Sequence, residues 1–210
     1  MKPKQPFFFL KPPSSIVLPG EGSCLRPKGI NMHFEVELAL VIGKLVRDLK
    51  ADDTKGALDA ISSYAVAIDM TARNAQDEAK RKGLPWDIAK GFDTFLPMSG
   101  LIPKSAVADP QRIRFCLVMK DGFCLRMEAM APAFAGLMIY RIPRILSDIS
   151  RVMALHPGDI VLTGTPAGVG SVEPGDVMKA GVRAGGKELD QGRIEIPVEE
   201  SPSSYVFEET

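Results

Sequence analysis

Glu35 and Glu37 lie two residues apart in an apolar run, Asn31-Met32-His33-Phe34-Glu35-Val36-Glu37-Leu38-Ala39-Leu40-Val41-Ile42-Gly43, and Asp69 closes a second apolar run, Ser63 to Ile68. In a strand, alternate side chains share a face. Phe34, Val36, Leu38, Leu40 and Ile42 then face one way, and His33, Glu35, Glu37, Ala39 and Val41 the other. The two carboxylates project together, roughly 7 Å apart at their Cα atoms. Like charges on an otherwise apolar strand are costly unless water or a cation neutralises them. Two readings stay open from this segment: a sheet with one wet face, or a cation site. With Asp69 added, three oxygen ligands and no nearby cysteine suit a hard cation, Mg2+ or Mn2+, with the remaining positions left to water or substrate oxygens.

Three further groups are candidates. Thr163-Gly164-Thr165-Pro166-Ala167-Gly168-Val169-Gly170 is a glycine-rich loop directly after a strand. Its N–H groups and hydroxyls could hold an anionic oxygen, although the Lys-Ser/Thr element of a P-loop is absent. Lys90 sits among apolar residues, either to pair with a substrate carboxylate or developing enolate, or simply to face solvent. Of the two histidines, His33 shares the face of Glu35 and is a candidate acid/base or supporting group, while His156 reads as a helix-end residue.

These residues need strands and short helices to position them. The chain has 210 residues with 17 Pro and 19 Gly, which favours turns and strands over long helices. Residues 7–18 read as extended and broken at Pro12-Pro13, and 34–42 as one strand. Asp52 or Asp53 caps a short helix through Ile61. Thr71 reads as the N-cap of a helix from Ala72 to about Lys82, stopped by Gly83 and Pro85, with Arg73 and Gln76 on one face. Residues 113–119 and 123–127 form a hairpin around Asp121-Gly122. Pro143 opens an amphipathic helix bearing Ile145, Leu146, Ile149, Val152 and Met153. Pro157-Gly158-Asp159 and Pro174-Gly175-Asp176 are turns that each feed a strand. Residues 1–198 form one α+β, strand-dominated domain, and 199–210 a polar, frayed tail.

Bulk properties exclude several classes. Lys plus Arg equals Asp plus Glu at 26 each, so no global charge argues for nucleic acid or an anionic membrane. No apolar stretch approaches the roughly 20 residues of a membrane span. Phe7-Phe8-Phe9-Leu10 is too short for a signal sequence, and the surrounding prolines make a poor presequence. Cys24, Cys116 and Cys124, odd in number and widely spaced, read as small apolar residues rather than a disulfide framework or a zinc site.

The strings Phe9-Leu10-Lys11-Pro12, Glu35-Val36-Glu37-Leu38-Ala39, Ile68-Asp69-Met70-Thr71-Ala72-Arg73-Asn74, Gly83-Leu84-Pro85-Trp86, Ala89-Lys90-Gly91-Phe92-Asp93 and Leu162-Thr163-Gly164-Thr165-Pro166-Ala167-Gly168-Val169-Gly170 run in one order over most of the chain. Together they resemble the fumarylacetoacetate hydrolase superfamily, nearest its acylpyruvate hydrolase and oxaloacetate decarboxylase/tautomerase branch. The resemblance implies a distorted β-roll with flanking helices, usually a homodimer, with metal ligands at Glu35, Glu37 and Asp69. It implies substrate contacts at Arg73, Gln76, Lys90, Gly164 and Thr165. Mg2+ (or Mn2+) would act as Lewis acid on the carboxylate and 2-oxo group of a small oxoacid, with Lys90 and Thr165 adding positive charge and a donor at the same oxygens. Close relatives are often mitochondrial; a cytoplasmic location is the alternative.

Two departures from the branch bear on activity. Its Asn-Tyr string and lid His–Glu pair would precede the Phe-Leu-Lys-Pro segment, whereas no His or Glu precedes Glu21 here. After Leu125-Arg126, the apolar stretch Met127–Leu137 replaces a shorter Gln- and Thr/Ser-containing turn. The expectation is a complete metal half of the site and a weakened water-activating half. Unless His33 substitutes, acylpyruvate hydrolysis should fall by the roughly 10²–10⁴ of a lost acid/base group, with tautomerisation less affected. The rival expectation is an inactive metal- and oxoacid-binding homodimer.

Overall fold

A computed structural model describes residues 5–118, 124–125, 139–165 and 168–209. In chain order the strands are β1 (Ile16–Val17), β2 (Cys24–Arg26), β3 (Met32–Phe34), β4 (Val36–Ile42), β5 (Ile61–Ile68), β6 (Thr71–Ala72), β7 (Leu96–Pro97), β8 (Ile102–Pro103), β9 (Arg114–Val118), β10 (Cys124–Leu125), β11 (Ile160–Leu162), β12 (Gly170–Ser171), β13 (Val177–Ala184), β14 (Lys187–Glu188) and β15 (Ile194–Glu200). The α-helices are α1 (Thr54–Ala60), α2 (Arg73–Lys82), α3 (Asp87–Lys90) and α4 (Ile142–Ser150). This is the strand-dominated α+β architecture expected from the sequence.

Two sheets enclose the core. One runs β11-β4-β5-β8, and the other β10-β9-β13-β15-β2 with β14 beside β13. Val36, Leu38, Leu40 and Ile42 of β4 face Leu117, Val182 and Ile196 of the second sheet in one buried cluster, which α4 completes with Ile145, Leu146 and Ile149. Removing this apolar surface from water is the main driving force for the fold. The opposite face of β4 is not wet: Ala39 packs with Ala65, Ala67, Leu96 and Met98 in a smaller cluster. The solvated-face reading of Glu37 is therefore excluded, because Glu37 itself is buried.

The expected single strand over 34–42 is broken at Glu35. β3 pairs with β6 and β12, while β4 pairs with β5 and β11. The partnering of Val36 with Ile68 and of His33 with Thr71 shares one register, so Glu35 stands opposite Asp69, whose N–H donates to the Glu35 carbonyl at 2.8 Å. The break changes the sheet without turning the carboxylates to another face.

Local chemistry accounts for most of the boundaries. Asp53 caps α1 by accepting from the Gly56 N–H at 2.7 Å. Gly83, at φ 68°, ends α2 in the left-handed region that glycine tolerates. In both Pro-Gly turns the aspartate accepts a backbone N–H three residues upstream, Asp159 from His156 and Asp176 from Glu173. His156 thus belongs to a turn rather than a helix end. β9 and β10 pair as the two arms of the expected hairpin, whose turn at Asp121-Gly122 lies outside the described residues, as does the 127–137 stretch. α4 stops at Ser150, leaving Val152 and Met153 beyond it and exposed.

Two other expectations need correction. Thr71 does not cap α2: it lies in β6, and its hydroxyl accepts from Lys90 instead. The described part of the C-terminal segment docks on the domain rather than standing free as a tail. β15 continues to Glu200, Val206 bridges to Lys28, and Phe207 packs on the core.

Candidate metal centre

The β4–β5 ladder brings the three carboxylates together. Glu35 and Glu37 share a face of the β3–β4 run, and Asp69 lies across from Glu35 at the end of β5. Each offers an oxygen within 4.8 Å of the others. Glu37 and Asp69 are buried. Such a group cannot lose water without positive charge or donors nearby.

That charge comes from three basic residues. Lys90, at the end of α3, is only 1% exposed. Its Nζ donates to Asp69 Oδ2 at 2.6 Å, to Glu35 Oε2 at 3.1 Å and to Thr71 Oγ1 at 2.6 Å, and it lies 4.8 Å from the Phe9 ring centroid. The solvent-facing reading of Lys90 is excluded. Arg73, the first residue of α2, donates from Nη2 to Glu35 Oε1 and from Nη1 to Gln76 Oε1, both at 2.8 Å. Among the described residues, Gln76 therefore reaches the carboxylates through Arg73.

The third is Lys11, which has no assigned role in the sequence beyond its place in the Phe9-Leu10-Lys11-Pro12 string. Its Nζ ion-pairs with Asp69 Oδ1 at 2.8 Å and donates to the carbonyls of Met70 and Lys90. It thus ties the end of β5 to the end of α3. No local signal marks it, because a lysine ahead of Pro12-Pro13 has the pattern of an ordinary turn residue.

Glu37 is held differently. Its Oε2 accepts from the Gly164 N–H at 2.5 Å, a contact through which the glycine-rich loop reaches the carboxylates. Gly164 takes φ 90°, so the loop can turn its N–H onto the carboxylate. Thr165 follows with a half-buried side chain; Pro166 and Ala167 lie outside the described residues. His33 sits on β3 opposite Thr71, half-buried, with Nδ1 buried and unbonded. It is beside the cluster rather than bonded to it.

The electrostatics separate the carboxylates. Burial raises the Glu35 carboxyl, but Lys90 and Arg73 outweigh it and leave it below the ordinary range. Glu37 is pushed up to about 8, by burial first and by the negative charge of Asp69, against the opposing Gly164 N–H and Lys90. Burial also lowers the Lys11 ammonium, against the pull of Asp69. Burial and the Arg73 charge lower His33. A buried carboxylate whose charge is disfavoured by two others is the environment that a divalent cation relieves, and an all-oxygen donor set fits Mg2+ or Mn2+.

Two of the three carboxylates, Glu37 and Asp69, border a cavity of about 450 Å3. Lys11, Glu37, Asp69 and Gly164 line one end, and apolar side chains such as Phe8, Leu162 and Met153 line the rest. Few polar groups at one end of an apolar cleft is the usual form of a small-molecule site.

This fold and this acidic cluster define a class. Residues 1–198 match the profile of the fumarylacetoacetate (FAA) hydrolase C-terminal domain, and the chain belongs to that family of enzymes. The chain is 46% identical over 170 residues to the mitochondrial oxaloacetate tautomerase oaa1 of Schizosaccharomyces pombe, an alignment covering 81% of this chain and 74% of the relative. It is 45% identical over 173 residues to the mitochondrial oxaloacetate decarboxylase of Dictyostelium discoideum, covering 81% and 75%. Among solved structures, the yeast fumarylacetoacetate hydrolase family protein ynq8 superposes with a TM-score of 0.84 at 36% identity, covering 98% of this chain and 90% of that one. Fumarylpyruvate hydrolase from Pseudomonas aeruginosa, in complex with Mn2+ and pyruvate, superposes with a TM-score of 0.75 at 31% identity, covering 94% and 81%.

Proposed function

We propose that this chain catalyses keto–enol tautomerisation of oxaloacetate or a similar small 2-oxoacid, with decarboxylation and acylpyruvate hydrolysis as related outcomes of the same site. The observation that supports this most is the meeting of Glu35, Glu37 and Asp69 with the buried Lys90 ammonium, beside a cavity that Glu37 and Asp69 border. The oxaloacetate tautomerase and decarboxylase relatives, and the Mn2+ and pyruvate of one structural neighbour, point the same way.

Glu35, Glu37 and Asp69 would hold the divalent ion, Mg2+ in our reading. Bound there, it would act as a Lewis acid toward the oxygens of a 2-oxoacid. The chain supplies the rest. Lys90 Nζ is fixed by three acceptors and packed under Phe9, so its positive charge is aimed before substrate arrives. Arg73 and Gln76 form a second polar edge suited to a substrate carboxylate. The Gly164 N–H orients Glu37, and Thr165 beside it offers a hydroxyl donor. The apolar walls exclude water from the C3 carbon, where tautomerisation removes and returns a proton. By likeness to its relatives we place the protein in mitochondria, and by family resemblance we assign it a homodimer.

The test is decay of the enol absorbance of oxaloacetate with Mg2+, measured against the free-metal background. Wild-type protein should accelerate it, and Lys90→Met should return it to background. If wild-type protein never exceeds the metal alone, the chain is a binder and this reading fails.

A further inference from the structure

The segment carrying Lys90 needs an external hold. Thr94, four residues on, takes φ 63°, a left-handed conformation that a β-branched residue avoids. Such a conformation persists only where the surroundings enforce it. Some of the holding groups lie nearby: the Thr94 N–H donates to the Ser14 carbonyl at 3.2 Å, and its Oγ1 accepts from the Leu25 N–H at 2.8 Å. The other is a row of rings. Phe95 packs on Phe92 at 5.1 Å between centroids, and Phe92 meets the ring of Tyr205 edge-on at 5.3 Å. The Phe95 carbonyl accepts from the Met70 N–H at 3.0 Å, next to Asp69.

The same C-terminal segment also holds the start of α2. Val206 bridges in parallel to Lys28, and the Phe207 N–H donates to the Lys28 carbonyl at 2.9 Å. The Phe207 carbonyl lies so close over Gly29 that a Cβ there would sit 2.6 Å from it. The Gly29 carbonyl accepts from Asn74 Nδ2 at 2.7 Å, Asn74 Oδ1 accepts from the Asn31 N–H at 3.1 Å, and the Asn31 carbonyl accepts from the Arg73 N–H at 2.8 Å. Glu209 ion-pairs with Arg81 near the far end of α2.

We propose that residues 201–209 form a strap across the Lys90 segment and the start of α2, and that Tyr205 is a positioning residue for the charged site. Neither Tyr205 nor Phe207 bonds to the carboxylates. They act through Phe92 on the backbone after Lys90, and through Gly29 and Asn74 on Arg73. The inference rests on the proposed reading of the site as an oxoacid site. Loss of the Tyr205 ring should leave the chain folded, because the residue is 39% exposed, but should loosen the placement of Lys90.

Calorimetry of oxalate binding in the presence of Mg2+ tests this on the full chain. Tyr205→Ala should weaken oxalate binding about fivefold, the equivalent of one aromatic pair, with little change in Tm. Tyr205→Phe keeps the ring and should retain wild-type affinity. Gly29→Ala, which pushes the strap off from its other end, should weaken binding in the same direction. In turnover, Tyr205→Ala should raise KM more than it lowers kcat. A wild-type chain that binds no oxalate overturns the site reading. Wild-type binding that Tyr205→Ala leaves unchanged, or a fall in Tm without loss of affinity, overturns the strap.

Discussion

Glu35 has its two oxygens committed to different cations, Oε1 to Arg73 and Oε2 to Lys90. Glu35→Ala therefore removes a proposed cation ligand and also strands two basic groups. It should reduce Mg2+-dependent oxalate binding by more than the roughly 10–100-fold that loss of a mere supporting partner costs, as calorimetry would show. A second residue-scale prediction concerns Cys24, which is buried in the core. Burial raises its thiol to about 12, against smaller opposing effects of the Lys11 charge and the Thr94 hydroxyl. The folded value lies above the roughly 8.5 of an unfolded thiol, so the fold favours the protonated form. That contribution is complete below about pH 8.5 and is lost as pH rises toward 12. Iodoacetamide at pH 9 should therefore leave Cys24 unmodified in the native chain and alkylate it in urea. Modification of native Cys24 at the unfolded rate would contradict the burial.

At this scale the sequence showed the acids better than their partners. Carboxylates two apart in an apolar run, with a third ending the next run, are conspicuous because they violate hydrophobic patterning. Lys11 violates nothing visible, since a lysine beside two prolines reads as an ordinary turn. Its importance arises only when the chain folds it against Asp69, and no local period carries that information. Thr71 misled for a related reason. A threonine ahead of a helical pattern has the signature of a cap, yet a buried ammonium is a stronger claimant for its hydroxyl.

Elements with chemical stops were legible: the Asp53 cap, Gly83 at the end of α2, Pro143 at the start of α4, and the two Pro-Gly-Asp turns. The break between β3 and β4 was not, because alternation of burial continues through Glu35 while the hydrogen-bonding partners change. The end of α4 was overrun for the same reason, since Val152 and Met153 continue a helical spacing that the backbone has already left. The α1 cap gives the element-scale prediction. Asp53 is the side chain that satisfies the Gly56 N–H, and α1 buries Ala57 and Ala60. Asp53→Ala should cost about 1 kcal/mol, read as a lower urea midpoint at unchanged m-value. An unchanged midpoint would show that α1 is held by packing alone.

For the molecule as a whole, the site links parts of the chain that are far apart in sequence. Lys11 comes from the N-terminal segment, Glu35 and Glu37 from β3–β4, Asp69 from β5, Lys90 from α3 and Gly164 from the loop after β11. A ligand that joins these groups binds the folded chain and has no counterpart in the unfolded one, so it must stabilise the whole fold by mass action. With free ligand at about 100 times its dissociation constant the gain is about 2.7 kcal/mol. For a chain of this size each kcal/mol moves Tm by about 2–4 °C, so Mg2+ with oxalate should raise Tm by about 5–10 °C. EDTA should reverse the shift, and Glu35→Ala should abolish it while keeping a cooperative transition. Oxalate without Mg2+ should do little, because Glu37 and Asp69 would then repel its charge. A rise of the same size in Glu35→Ala, or in the presence of EDTA, would place the stabilising ligand elsewhere on the surface and detach the acidic cluster from the function assigned to it.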